Sequence, residues 1–179
     1  MLIPAEHALW CLDQTIGERG VYTDGNLIDK AIVIATAAMQ DVQTELREIT
    51  KGAITSTHQV PRILAWVRNQ DCELKDLKKG TRSAALRRTK LDPTIRRVLE
   101  LRSEAAHPAL AKYQALQRHR CRDGRVRGAL RFHGAATGRW SSLGVQLHNF
   151  KRETENTAEK VAAVLTGDIA EVRKLGSPL

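Results

Sequence analysis

The stretch Phe132-His-Gly-Ala-Ala-Thr-Gly-Arg-Trp-Ser-Ser-Leu-Gly-Val-Gln-Leu-His-Asn-Phe-Lys-Arg152 decides how the rest of the sequence is read. At its centre, Gly138 next to Arg139 lets the backbone come close to a partner while the guanidinium reaches past it. Thr137, Ser141 and Ser142 add hydroxyls suited to phosphate or sugar oxygens. This is chemistry directed at nucleic acid. Further on, Gln146, His148 and Asn149 are interleaved with apolar Val145, Leu147 and Phe150. An extended segment here would bury one set and offer the other to a ligand.

The charge distribution points the same way. The 179-residue chain carries a formal net charge of +9. Residues 1–50 hold eight acids against three bases, net −5, whereas residues 75–131 hold seventeen bases against five acids, net +12. A solvated helix surface is the plain alternative for such a run. Beside the Thr137–Ser142 stretch, a nucleic-acid partner is the better reading.

Composition sets the architecture. The chain can bury one core plus a smaller satellite, and abundant Ala, Leu and Val with 4% aromatic residues favour a mainly α fold. Cys11, Cys72 and Cys121 are odd in number and widely spaced, which supports neither a disulfide framework nor a zinc site. No signal peptide opens the sequence and no apolar run is long enough to span a membrane, so a cytoplasmic protein is expected.

Along the chain, Leu9, Leu12 and Ile16 mark a short helix closed by Gly17 and Gly20. Ile28, Ile32, Ala35, Met39, Val42, Leu46 and Ile49 then predict a long N-terminal amphipathic helix reaching Lys51-Gly52, its stripe serving core packing or a coiled-coil-like seam. Ser56-Thr57-His58-Gln59 has capping-box spacing, with Val60, Ile63, Leu64 and Val67 as the face of the helix it starts. Pro61 then falls at about the fifth helical position, where it forfeits a backbone bond. Cys72–Gly80 reads as a charged connection, followed by a short helix displaying Arg82, Arg87 and Arg88. Asp92-Pro93 is a cap and first-turn proline, and Ile95, Val98, Leu99, Ala105 and Ala106 follow on one face. Pro108 predicts a break near His107 before Leu110, Tyr113 and Leu116 continue the stripe. Arg125–His133 alternates like a strand with basic residues on one side. Residues 158–175 form two short helices split at Gly167-Asp168, with Ala162, Leu165, Ile169 and Val172 apolar, and Gly176-Ser177-Pro178 ends them.

The runs Ala136–Ser142 and Gly144–Arg152 resemble the T-G-R-[LW]-S-S … N-L-Q-N-[IL]-P-x-R signature of family A DNA polymerases, in the bacteriophage-type branch of the DNA polymerase I group. Upstream, Asp13–Asp24, Thr55–Leu64 and Leu99–Tyr113 are similar to further family segments in the same order. The resemblance implies a helical thumb-like module with a small β element near residues 125–150. It divides the chain into a lead-in and long helix (1–52), a basic helical thumb-like region (53–124) and the start of a palm (125–179). Thr137, Gly138, Arg139, Ser141, Ser142, Gln146, His148 and Asn149 would then meet primer–template DNA, Arg139 in the minor groove at the primer end. Arg96, Arg97, Arg102 and Lys112 would hold phosphates.

Three departures from the family pattern fall within the second run. Gln146 stands for asparagine, His148 for glutamine, and Phe150-Lys151 for an aliphatic residue and proline; His107-Pro108-Ala109 likewise replaces a lysine and small hydroxyl residues. Complete family members use two Mg²⁺ ions held by aspartates in D-[FY]-[SG]-x-I-E and H-D-E motifs. Neither motif occurs in this sequence. The resemblance therefore implies a DNA-binding fragment, inactive alone and with no cofactor in this chain, whose palm and fingers could sit on a second polypeptide. A stand-alone helical nucleic-acid-binding protein, or a polymerase relic, is the alternative.

Overall fold

The computed structural model describes residues 3–70, 72–105, 109–150 and 156–175. The fold is mainly helical, with two small antiparallel sheets of two strands each. The expected break near His107-Pro108 and the terminal Gly176-Ser177-Pro178 lie outside the described residues. The chain forms two compact units, one made of residues 3–34 and 109–175, the other of residues 35–105. The units follow packing, whereas the segments 1–52, 53–124 and 125–179 follow motif order.

In the first unit, α1 (Pro4–Arg19) opens with proline in its first turn, and Glu6 reaches back to accept from the Ile3 backbone N–H at 3.2 Å. Its apolar stripe faces outward. Leu9, Leu12 and Ile16 are 44, 50 and 37% exposed, and the residue that is buried is Asp13, at 8%. The helix also runs through Gly17 and stops at Gly20, whose φ of 65° and ψ of 178° suit only a residue without Cβ. β1 (Val21–Tyr22) pairs antiparallel with β2 (Arg125–Val126), and Gly124 accepts from both the backbone and the hydroxyl of Thr23.

The 25-residue helix α2 (Gly25–Ile49) is about 37 Å long. Its stripe differs from the expected one because the two units each use their own part of it. Ile28, Ala31 and Ile34 are buried in the first unit, while Leu46, flanked by Val42 and Ile49, joins the core of the second. Met39 is only half-buried.

In the second unit, α3 (Val60–Arg68) starts three residues later than the Ser56 capping pattern suggested. Ser56 Oγ accepts from the His58 N–H instead, and Gln59 Oε1 takes the Thr55 N–H, so these side chains shape a turn before the helix. Pro61 consequently lies in the first turn, where no helical bond is lost. The connection after Cys72 is not merely charged: Cys72, Leu74 and Leu77 are buried in the core. α4 (Lys79–Leu86) begins before Gly80. α5 (Pro93–Glu104) is capped as expected, with Asp92 accepting from the Thr94 and Ile95 N–H groups at 2.8 and 3.1 Å. It inserts Ile95, Val98, Leu99 and Leu101 into that core. Each side chain so buried contributes about 1.5–3 kcal/mol.

Back in the first unit, α6 (Ala109–His119) buries Leu116 and half-buries Tyr113. The expected single strand over Arg125–His133 is two strands with different partners. Gly128, at φ 62°, turns the chain between β2 and β3 (Leu130–Arg131), and β3 pairs with β4 (Ser141–Ser142). α7 (Thr157–Thr166) and α8 (Ile169–Lys174) meet at Gly167 as expected, with Asp168 capping α8 through Ala170 N–H at 2.7 Å. α7 buries Ala163 and Val164 rather than Ala162 and Leu165.

Candidate nucleic-acid interface

The Thr137–Ser142 stretch is a loop closed by a two-stranded ribbon. Leu130 pairs with Ser142 and Arg131 with Ser141, so residues 132–140 project as one excursion. Within it, the Gly138 N–H donates to the Ala135 carbonyl at 2.9 Å, and Gly138 takes a φ of 76°. The glycine is therefore required by the turn itself. Thr137, Gly138 and Arg139 are exposed, and the Arg139 guanidinium makes no hydrogen bond or ion pair with the described residues.

Trp140 anchors the loop. Its indole N–H donates to the Asp13 carboxylate at 2.6 Å, and its ring meets Phe132 edge to face at 5.8 Å. A buried carboxylate needs such a donor, which explains why Asp13 rather than a leucine faces inward on α1. No local pattern announces this pairing, because the partners are 127 residues apart.

The second half of the stretch is not extended. Leu147–Asn149 forms a 3₁₀ turn, preceded by buried Val145 and followed by exposed Phe150. The turn draws the candidate polar residues together. Ser142 Oγ contacts His148 Nδ1 and also accepts from the His148 backbone N–H at 3.3 Å. Asn149 Nδ2 donates to Gln146 Oε1 at 2.8 Å. Lys112, on α6, donates to the Asn149 carbonyl at 3.0 Å and lies 5.6 Å from the centre of the Phe150 ring. Ser142, Gln146, His148, Asn149 and Lys112 thus form one cluster. Lys151 and Arg152 lie outside the described residues.

The three arginines of α5 lie in the second unit and have different surroundings. Arg96 donates to the Leu86 and Arg88 carbonyls at 2.6 and 2.8 Å, tying down the end of α4. Arg97 bonds both oxygens of Glu45 at 2.5 and 2.7 Å and Glu104 at 2.8 Å, with Glu100 at 3.6 Å. The Arg97 guanidinium holds the Glu45 carboxyl below its ordinary pKa, and the same bonds raise that of Arg97. Arg102 Nε is buried with no acceptor. Arg82, expected on the surface, is 8% exposed. It donates to Ser103 Oγ at 2.6 Å and to the Leu77 carbonyl at 3.2 Å.

Among the described residues, no group of three or more His, Cys, Asp or Glu side chains is placed to hold a metal ion. No helix among them is long and apolar enough to cross a membrane. No protein-family profile matches the sequence, and no solved structure does. The chain is 31% identical over 174 residues to the DNA polymerase of Bacillus phage SP02, a match covering 97% of this chain and 26% of that polymerase. It is thus related to a phage DNA polymerase and spans about a quarter of that relative's length.

Proposed function

We propose that this chain is a DNA-binding portion of a family A, phage-type DNA polymerase, corresponding to a thumb and the first edge of a palm, that grips primer–template duplex. The observation that carries this reading is Arg139. It is an exposed cation with no partner among the described residues, on a loop held by Trp140 and Asp13. A guanidinium so presented can reach the minor-groove acceptors found in every base pair, and so test fit without reading sequence. The cluster of Gln146, His148, Asn149 and Lys112 would contact the strands beside it. The relationship to a phage DNA polymerase supports the assignment.

The nucleotidyl-transfer motifs of complete polymerases do not occur in this sequence, so catalysis would require palm and fingers segments supplied elsewhere, for example on a second polypeptide. The chain alone should not extend a primer in the presence of Mg²⁺.

The test is DNA binding by Arg139→Ala. Binding to a recessed primer–template junction should weaken by about 1–3 kcal/mol, and binding to blunt duplex or single strand should weaken less. Equal losses on all three ligands would favour a stand-alone nucleic-acid-binding protein.

A further inference from the structure

Tyr22 is the most exposed large apolar side chain among the described residues, at 67%. Its position is nevertheless fixed. β1 pairs Tyr22 with Arg125, and the Gly124 carbonyl accepts from the N–H and the hydroxyl of Thr23 at 2.9 and 3.0 Å. The turn over residues 121–124 is closed by the Gly124 N–H on the Cys121 carbonyl at 3.0 Å and by the Cys121 N–H on the Arg125 carbonyl at 2.8 Å. One side of the Tyr22 ring lies against Gly124, where a Cβ would be 3.0 Å from Cε2 and 3.5 Å from Cδ2. The glycine, at φ 79°, lets the turn and the ring meet this closely. The rest of the ring stays in water, so an aromatic surface is held in place and left uncovered.

The charge around this ring is positive. Residues 118–127 carry five arginines against one acid. Two of the five have structural roles: Arg125 donates to the Arg19 and Gly20 carbonyls at the end of α1, and Arg127 to the Glu18 carbonyl and to Asp123. Asp123 is thereby neutralised, and Asp24 is engaged in accepting the Leu27 N–H at 3.1 Å. Arg122, on the same turn as Gly124, is exposed and makes no hydrogen bond or ion pair with the described residues. The Arg120 guanidinium fills the space that a Cβ at Gly25 would take, three residues along from Tyr22. A fixed aromatic ring with cations beside it suits a ligand that is flat, apolar on its faces and joined to anions. An unpaired base in a single strand has that chemistry, since every base has a π-face and every linkage a phosphate. Bases inside a duplex are covered on both faces by their neighbours. We infer that Tyr22 is a stacking platform for an unpaired nucleobase of a single-stranded nucleic-acid segment, with Arg122 holding an adjoining phosphate. This rests on the nucleic-acid-binding part of the proposed function, adds a single-strand site to the duplex grip, and does not involve Arg139.

The test compares binding of oligo(dT) with binding of an abasic strand of the same length and charge, read by fluorescence anisotropy. The intact chain should bind oligo(dT) about five- to tenfold more tightly than the abasic strand. Tyr22→Leu should abolish that preference by weakening oligo(dT) alone, and Tyr22→Phe, which keeps the ring, should retain it. Arg122→Gln should weaken both strands and lower the slope of log affinity against log salt by about 0.7. Equal binding of the two strands by the intact chain would overturn the platform, as would equal losses in Tyr22→Leu and Tyr22→Phe, or a loss on the abasic strand in Tyr22→Leu. An unchanged slope in Arg122→Gln would overturn the phosphate contact. Thymidine monophosphate at matched nucleotide concentration separates a strand from a free nucleotide. It should displace oligo(dT) poorly, and displacement as effective as by unlabelled oligo(dT) would overturn the strand assignment. No binding of oligo(dT) at low salt, with blunt duplex still bound, would refute the platform and leave the proposed function standing. Arg139→Ala should keep the preference for oligo(dT) whatever it does to junction binding; loss of that preference would overturn the placement at Tyr22.

Discussion

Trp140→Phe isolates the bond that holds the Arg139 loop. The substitution keeps an aromatic ring to meet Phe132 and removes only the indole N–H that donates to Asp13 at 2.6 Å. Asp13 is 8% exposed, and its other side-chain partner, Gln14 Nε2, is at 3.3 Å. A hydrogen bond to a charged group contributes about 1.5–3 kcal/mol, and a carboxylate left short of its donor incurs a desolvation cost as well. The expected destabilisation is about 2 kcal/mol, or about 4–8 °C in melting temperature for a chain of this size. Urea denaturation of Trp140→Phe, Asp13→Ala and the double variant closes the cycle. Once either partner is gone, the second substitution should cost about 1–2 kcal/mol less than it does alone. Strict additivity, within about 0.5 kcal/mol, would show that the contact is not energetically coupled and that the loop is held by other means.

Three further outcomes rest on local geometry. Arg127 bonds Asp123 bidentately at 2.9 and 2.5 Å, and this, with the Arg125 N–H, lowers the Asp123 carboxyl from 3.8 to about 2. Its contribution to stability is present above pH 4 and is lost as pH falls through about 2. An NMR titration should place its midpoint there, and Arg127→Gln should return it towards 3.8. Gly20→Ala should cost at least about 1–3 kcal/mol in urea denaturation, since the new Cβ would sit 2.6 Å from the Val126 carbonyl in a backbone region reserved for glycine. Gly17→Ala, where a Cβ meets nothing within 4 Å inside α1, should instead stabilise by about 0.5–1 kcal/mol.

The features legible in the sequence were those set by neighbouring residues. Asp92-Pro93 starts α5 because both the cap and the fixed φ act within one turn, and Gly167-Asp168 divides α7 from α8 for the same reason. The extent of α2 also followed from its apolar spacing, but which residues it buries did not, because two separate cores draw on one helix. Ser56 misled because a hydroxyl that can cap a helix can equally close a turn, and Gln59 settled the matter for the turn. On α1, the spacing of Leu9, Leu12 and Ile16 marks the helix but not the face it buries, because a hydrogen bond from a distant tryptophan turns Asp13 inward. Among the candidate contact residues, Thr137–Arg139 are exposed, and the 3₁₀ turn that gathers Gln146, His148 and Asn149 leaves no alternation to detect. The contrast between Arg97 and Arg102 depends on where Glu45 and Glu104 fall in space, which charge counting does not record.

The β1–β2 pairing bears on the order in which the molecule assembles. Val21 and Tyr22 find their partners at Val126 and Arg125, so the first unit is closed by residues about one hundred positions apart, while residues 35–105 form the second unit without interruption. Closing a loop of that length costs about 4 kcal/mol of chain entropy before any contact across it forms. The second unit faces no such delay and can collapse as it leaves the ribosome. Its folding would shorten the effective span that β1 and β2 must bridge, so mutations that slow the α3–α5 core should also slow formation of the strand pair that closes the other unit.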